Sequence, residues 1–204
     1  MRAWTITSVL AAAAVLSAPG SAAAQSADSP ADAVRLTPYL LVGAGGEAEL
    51  SSGGFSISND LDATVGLGAR VAVPLVKYLL VGGLFEWGSF KADNSNDRDH
   101  LLDVDAFIGG RYVLDVEGMP LELHALLPVG FAAAFFDNDS IQDETGLGWN
   151  LGLLFGAALF VTDSVGVVFD IGFMHHGLNV DTSGTVADVD ANQARFNFGA
   201  AIAF

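Results

Sequence analysis

The chain has 204 residues, with 24 acidic against 8 basic side chains and a formal net charge of -16. That balance excludes nucleic-acid binding, which rests on basic side chains neutralising phosphates. With 51% apolar residues, 24 Gly and no Cys, the framework must come from strand pairing, because no disulfide can supply it.

Residues 1–24 read as a secretory signal peptide. Arg2 supplies a positive start, Ile6 to Leu16 a short apolar core, Pro19 and Gly20 a break, and Ala22-Ala23-Ala24 an A-x-A cleavage site. No Cys follows the apolar stretch, so the signal is not that of a lipoprotein. Residues 25–35 read as a short, loose N-terminal segment.

From there the period is two, and successive side chains of a strand face opposite sides. The clearest run is Leu61 to Val73. Leu61, Ala63, Val65, Leu67, Ala69, Val71 and Val73 form one face, and Asp62, Thr64, Gly66, Gly68, Arg70 and Ala72 the other. The charges mark the second face as the lumen. Seven further runs follow the same logic: Leu36 to Leu50 (Glu47 and Glu49 inward), Leu79 to Phe90 (Glu86 inward), Leu101 to Val113 (Asp103, Asp105 and Arg111 inward), Leu121 to Phe136 (Glu122 and His124 inward), Leu147 to Val161 (Asn150 inward), Val165 to His176 (Asp170 inward) and Ala191 to Phe204 (Gln193, Arg195 and Asn197 inward). No mature apolar run is long enough for a spanning helix, which takes about 18 residues. Eight alternating runs predict an all-β fold, an eight-stranded antiparallel up-and-down transmembrane β-barrel over residues 36–204.

The connections alternate in kind. Pro74 to Tyr78, Leu114 to Pro120 and Thr162 to Ser164 are short; Ser51 to Asp60, Lys91 to His100, Asp137 to Gly146 and Gly177 to Asp190 are long and polar. Short periplasmic turns and long external loops are the pattern of outer-membrane barrels, which places both termini in the periplasm. Trp87, Phe135, Trp149 and Phe173 fall towards the external ends of strands and Tyr112 towards a periplasmic end, as in an interfacial aromatic girdle.

The chain ends Phe196-Asn-Phe198-Gly-Ala200-Ala-Ile202-Ala-Phe204. A terminal aromatic preceded by alternating apolar residues resembles the signal read by barrel-assembly machinery. The pattern of residues 36–204 as a whole resembles the OmpA/OmpX-type small outer-membrane barrels, with OmpW-like proteins as a weaker likeness. That resemblance implies membrane embedding, contact with outer-membrane lipids including lipopolysaccharide, and surface contacts through loops.

Three groups invite chemistry. The inward charges Arg70, Asp103, Asp105, Arg111, Glu122, Asp170 and Arg195, with His124, are read as a polar network filling a lumen just wide enough for side chains; the alternative is an acidic pore. Arg111 is expected opposite Glu122, and His124 opposite Gly109, across a hairpin centred on Val116 and Glu117. His175 and His176 are adjacent, so they face opposite sides and share no ion; a lipid A deacylase would carry a Ser where Gly177 stands. Asp137-Asn138-Asp139 lacks the spacing of an EF-hand. No catalytic residue, cofactor or metal site is expected. The leading expectation is a non-enzymatic barrel with a structural or cell-surface role, and the rival is a narrow channel or an OmpW-like conduit for small apolar solutes.

Overall fold

The computed structural model describes residues 29–90, 98–138, 141–182 and 185–204. The signal-peptide reading and residues 91–97 of the Lys91 to His100 connection lie outside them, as do the side chains of residues 137–144.

A single 3-10 turn, Pro30–Asp32, leads in, with Ser29 as its N-cap. The strands are β1 (Arg35–Ser52), β2 (Phe55–Asp60), β3 (Thr64–Val76), β4 (Leu79–Phe90), β5 (Asp99–Val116), β6 (Met119–Asn138), β7 (Ile141–Phe160), β8 (Val165–Thr182) and β9 (Thr185–Ala203). Each pairs antiparallel with its neighbours in the order β2-β1-β3-β4-β5-β6-β7-β8-β9, and β1 also pairs with β9. The ring therefore holds eight strands, closed by β1 on β9 so that no edge is left around it. Strand β2 adds no ninth stave. It pairs with β1 from Glu47↔Asp60 in the same register in which β3 pairs from Gly43↔Thr64. Strands β2 and β3 are one stave broken at residues 61–63, where the Leu61 amide still donates to Gly46 O at 2.9 Å.

The break lies opposite a β-bulge. The β1–β9 register slips between Ala44 and Gly46, and Gly45 has φ +59°, a conformation that costs glycine little and other residues more. The extra residue reverses the parity of β1 beyond it. Glu47 and Glu49, expected inside, are exposed on the outer face for this reason, and Asp62 is exposed in the break.

Elsewhere the alternation holds. Leu67, Phe85, Ile108, Val129, Phe155, Phe169 and Phe198 are among the many exposed apolar side chains on the outer wall. A contiguous surface of this size is incompatible with water and suited to lipid. The long connections differ from the loops expected. Strand pairing continues to Ser52↔Phe55, Asn138↔Ile141 and Thr182↔Thr185, so three of the four are hairpins that extend the wall. At this hairpin end the faces exchange character: Glu47, Glu49, Asn179, Asp181, Asp188 and Asp190 are exposed, while Leu178, Val180 and Ala187 are buried inside.

At the opposite end, the turn end, Ala31 and Ala33 close the barrel by packing against Ala158, Phe160, Val168, Ala201 and Ala203. Residues 29–34 are thus part of the wall's base, unlike the loose segment expected.

Candidate functional site in the lumen

The eight charged and His side chains singled out from the sequence all point into the barrel and are buried. They fall into two networks, and an apolar cluster of Ala72, Leu80, Leu84, Phe107, Leu126 and Leu154 packs beside them, with Leu84 in register with both Arg70 and Asp105.

The network nearer the turn end is built on Glu122 of β6. Its Oε2 accepts from Arg35 Nη1 at 2.8 Å and from Arg111 Nη1 at 3.3 Å. Arg111 also donates through Nη2 to Asp32 Oδ1 at 2.6 Å and through Nη1 to the Ala31 carbonyl, which ties the N-terminal turn to the barrel. His124 bridges onward. Its Nε2 meets Asp170 Oδ1 at 2.7 Å, and Asp170 Oδ2 accepts from Arg70 Nη1 at 3.0 Å. His124 Nδ1 is 3.3 Å from Glu122 Oε1 but without hydrogen-bond geometry.

The pairing of Arg111 with Glu122 arises differently from the expectation. The β5–β6 turn is Glu117–Gly118, with φ +55° and +83°, and Asp115 Oδ1 accepts from the Gly118 amide at 2.7 Å. Positive φ at both central residues belongs to the hairpin turn that matches strand twist. The centre is one residue later than expected, so Arg111 stands opposite His124, Val113 opposite Glu122, and Gly109 opposite Leu126. A shift of two positions keeps the same face, and Arg111 reaches Glu122 diagonally.

The second network lies towards the hairpin end. Glu86 accepts from Tyr39 OH at 2.8 Å and from Arg195 Nη1 at 3.0 Å. Asp103 Oδ2 lies 3.1 Å from His176 Nε2 and accepts from Arg195 Nη2 at 3.4 Å. Gln193 donates to Thr64 Oγ1 at 2.7 Å just above. Within the turn-end network, the cavity lined by Arg35, Thr37, Arg70, Glu122, His124 and Phe107 measures about 10 Å³, no more than one water requires.

Sequence reasoning missed Asp32, Arg35 and Tyr39. Arg35, which the sequence reading places in the leading segment, shares the parity of Thr37, Tyr39 and Leu41, and this parity is the available signal.

His175 and His176 do face opposite sides: His175 Nδ1 shares a hydrogen bond of 2.8 Å with Asn192 Oδ1 and its ring lies against Trp149, while His176 is inside. Trp87 packs on Phe135 and His100, and Tyr112 stacks on Tyr78 near the turn end. Phe173 sits deeper in the belt, paired with Leu153 and Ala194. Phe204 follows the last strand with its amide donating to Val34 O at 3.0 Å and its side chain 78% exposed.

No family model matches the sequence, and no curated protein matches it. Solved structures do. The crystal structure of the outer membrane protein OprG from Pseudomonas aeruginosa superposes with a TM-score of 0.63 at 11% identity, covering 85% of this chain and 97% of that one. Neisserial surface protein A covers 82% of this chain and 97% of its own, at 18% identity and a TM-score of 0.44. The attachment invasion locus protein Ail of Yersinia pestis covers 81% and 98%, at 16% identity and a TM-score of 0.44. The fold is that of the small outer-membrane β-barrels: all-β, eight-stranded, antiparallel and up-and-down.

Proposed function

We propose that the protein is a non-enzymatic outer-membrane barrel, closed to ions, that presents its acidic hairpin end at the cell surface. The observation that carries this reading is the filled lumen. Two buried ion-pair networks and an apolar cluster beside them fill it, and packed interiors are usual for eight-stranded walls. The outer apolar belt supports lipid embedding. The short turns then face the periplasm with both termini, and the extended hairpins face outward beside lipopolysaccharide. In this reading Trp87, Phe135, Trp149 and Tyr112 anchor the belt at its interfaces, Phe173 lies within it, and Phe204 is the residue that barrel-assembly machinery recognises.

Two experiments test it. Protein refolded into planar bilayers should give no stepwise conductance; discrete ion steps would make it a channel. Because the chain has no Cys, single cysteines report orientation without background. An impermeant maleimide should label Asp190→Cys on intact cells and Glu117→Cys only after the outer membrane is opened. The reverse pattern would invert the topology.

A second reading rests on the exchange of faces at the hairpin end. There the inner wall is apolar, with Ala132, Ala134 and Leu178 buried against Leu101, Phe136 and Val189. This wall supports a vestibule for small apolar solutes, an OmpW-like role. Binding of a small apolar fluorophore that Leu178→Glu abolishes would favour it; binding unchanged by that substitution would remove it.

A further inference from the structure

The two networks differ in charge balance. Near the turn end, Arg35, Arg70 and Arg111 pair with Asp32, Glu122 and Asp170, three cations to three anions. Towards the hairpin end, Glu86, Asp103 and Asp105 are all buried; among the described residues the guanidinium of Arg195 reaches Glu86 and Asp103, with His176 alongside on Asp103.

The unmatched charge is localised. Both carboxylate oxygens of Asp105 and Oδ1 of Asp103 have no hydrogen-bond partner among the described residues and no exposed surface. The side chain of Asn150, 0% exposed, is in the same state at both Oδ1 and Nδ2. These groups share one patch of wall. Asp105 is in register with Gly130 on β6, and Gly130 with Asn150 on β7. A Cβ on Gly130 would stand 2.2 Å from Asp105 Oδ1, so the carboxylate lies across the glycine towards Asn150. The Asn150 amide in turn interacts with the carboxyl groups of both aspartates, but without hydrogen-bond geometry to either.

A buried carboxylate without a partner is costly, and so is a buried amide. Oxygen-rich surroundings with excess negative charge suit a hard cation. We propose that Asp105, Asp103 and Asn150 form a lumenal site for a small hard cation of the Na+ or Ca2+ kind. No three His, Asp or Glu side chains among the described residues converge as a metal cluster; the site instead mixes carboxylate oxygens with the amide oxygen of Asn150. Arg195 and His176 hold the other side of Asp103, which leaves its Oδ1 for the ion. The bound cation balances the hairpin-end network and helps hold the lumen shut.

The test is thermal unfolding of the full refolded chain in zwitterionic detergent, free of lipopolysaccharide, in N-methylglucamine, sodium or calcium chloride at one ionic strength. The large organic cation cannot enter. At ten times Kd, Na+ or Ca2+ should raise the midpoint by roughly 3–6 °C over the organic salt, and the better of the two identifies the ion. Asp105→Asn and, separately, Asn150→Leu should abolish the difference. Replacing the outer carboxylates together (Glu47→Gln, Glu49→Gln, Asp190→Asn) should leave it intact. Equal midpoints of wild type in all three salts overturn the proposal, and point to a proton on Asp105 if the common midpoint falls as pH rises. A cation effect that survives in Asp105→Asn, or that vanishes with the outer carboxylates, overturns it too.

Discussion

Removing one member of the Glu122 cluster should have unequal effects, and the inequality follows from who else is present. Glu122 is 1% exposed and is held by two guanidinium groups, Arg35 at 2.8 Å and Arg111 at 3.3 Å. Glu122→Leu leaves Arg35 buried without an anion, and Arg111 with Asp32, whose side chain is 46% exposed. A stranded buried charge costs about 3–5 kcal/mol. Arg111→Leu is milder, because Arg35 remains on Glu122 and Asp32 can turn to water; about 1–3 kcal/mol is expected, the range for a charged hydrogen bond lost. The double change Arg111→Leu with Glu122→Leu still strands Arg35, so it should remain near the Glu122→Leu value. Only the triple change to Leu at residues 35, 111 and 122 removes the buried carboxylate together with both guanidinium groups that it holds, and should recover much of the loss. Equilibrium urea unfolding of refolded protein in micelles, followed by Trp fluorescence, measures all four variants. A double variant as stable as the triple, or Arg111→Leu less stable than Glu122→Leu, would refute the cluster as drawn.

Three further outcomes are expected. Gly68→Ala should cost about 1–3 kcal/mol in the same urea assay, because its Cβ would lie 2.3 Å from the Tyr39 ring, whose hydroxyl holds Glu86; an unchanged midpoint would mean that Tyr39 is free to move. His176→Ala should lower the unfolding midpoint by removing a partner of Asp103 while leaving the lipid A of its host unchanged by mass spectrometry; a His176-dependent loss of one acyl chain would restore the enzyme reading. Deletion of Phe204 should reduce the protein recovered in the outer-membrane fraction, as judged by immunoblot, and undiminished recovery would remove its role as an assembly signal.

How much of the fold was legible depended on what each feature needed. Parity was legible because every stave inside the belt has one solvent on one side and packed side chains on the other. A register error survived because it was even: centring the β5–β6 hairpin on Val116 and Glu117 misplaced every partner by two residues yet left Arg111 and Glu122 on the same face. The sequence did hold the correction, since a two-residue turn with positive φ at both positions calls for Gly at the second, and Gly118 supplies it. The bulge was harder. Gly45-Gly46 hints at a kink, but nothing local says that the strand continues beyond it with reversed parity. Asp32 and Arg35 belong to the lumen only once Ala31 and Ala33 are packed under the ring, a tertiary fact with no periodic signature.

The missed extensions have a more general cause. A strand that leaves the bilayer keeps its period of two but exchanges the meaning of its faces, because the outer surface now meets water. Along β8, Ile171 and Phe173 face out beside inward Asp170 and His176, whereas higher up Asn179 and Asp181 face out beside inward Leu178 and Val180. On β9 the same exchange sets outward Asp188 and Asp190 against inward Ala187 and Val189. Judged by the rule that outward means apolar, these stretches read as polar loops. Judged by alternation alone they are strands throughout, with the change of phase marking where lipid gives way to water. The exchange also explains how the lumen is partitioned. Among the described residues, the buried charges lie in the part of the lumen that the apolar belt surrounds, and the inner wall turns apolar at the level where the outer wall turns acidic. A barrel arranged this way fills its interior with polar side chains inside the belt and leaves its hairpin end with the build of a water-soluble sheet, acidic outside and apolar within.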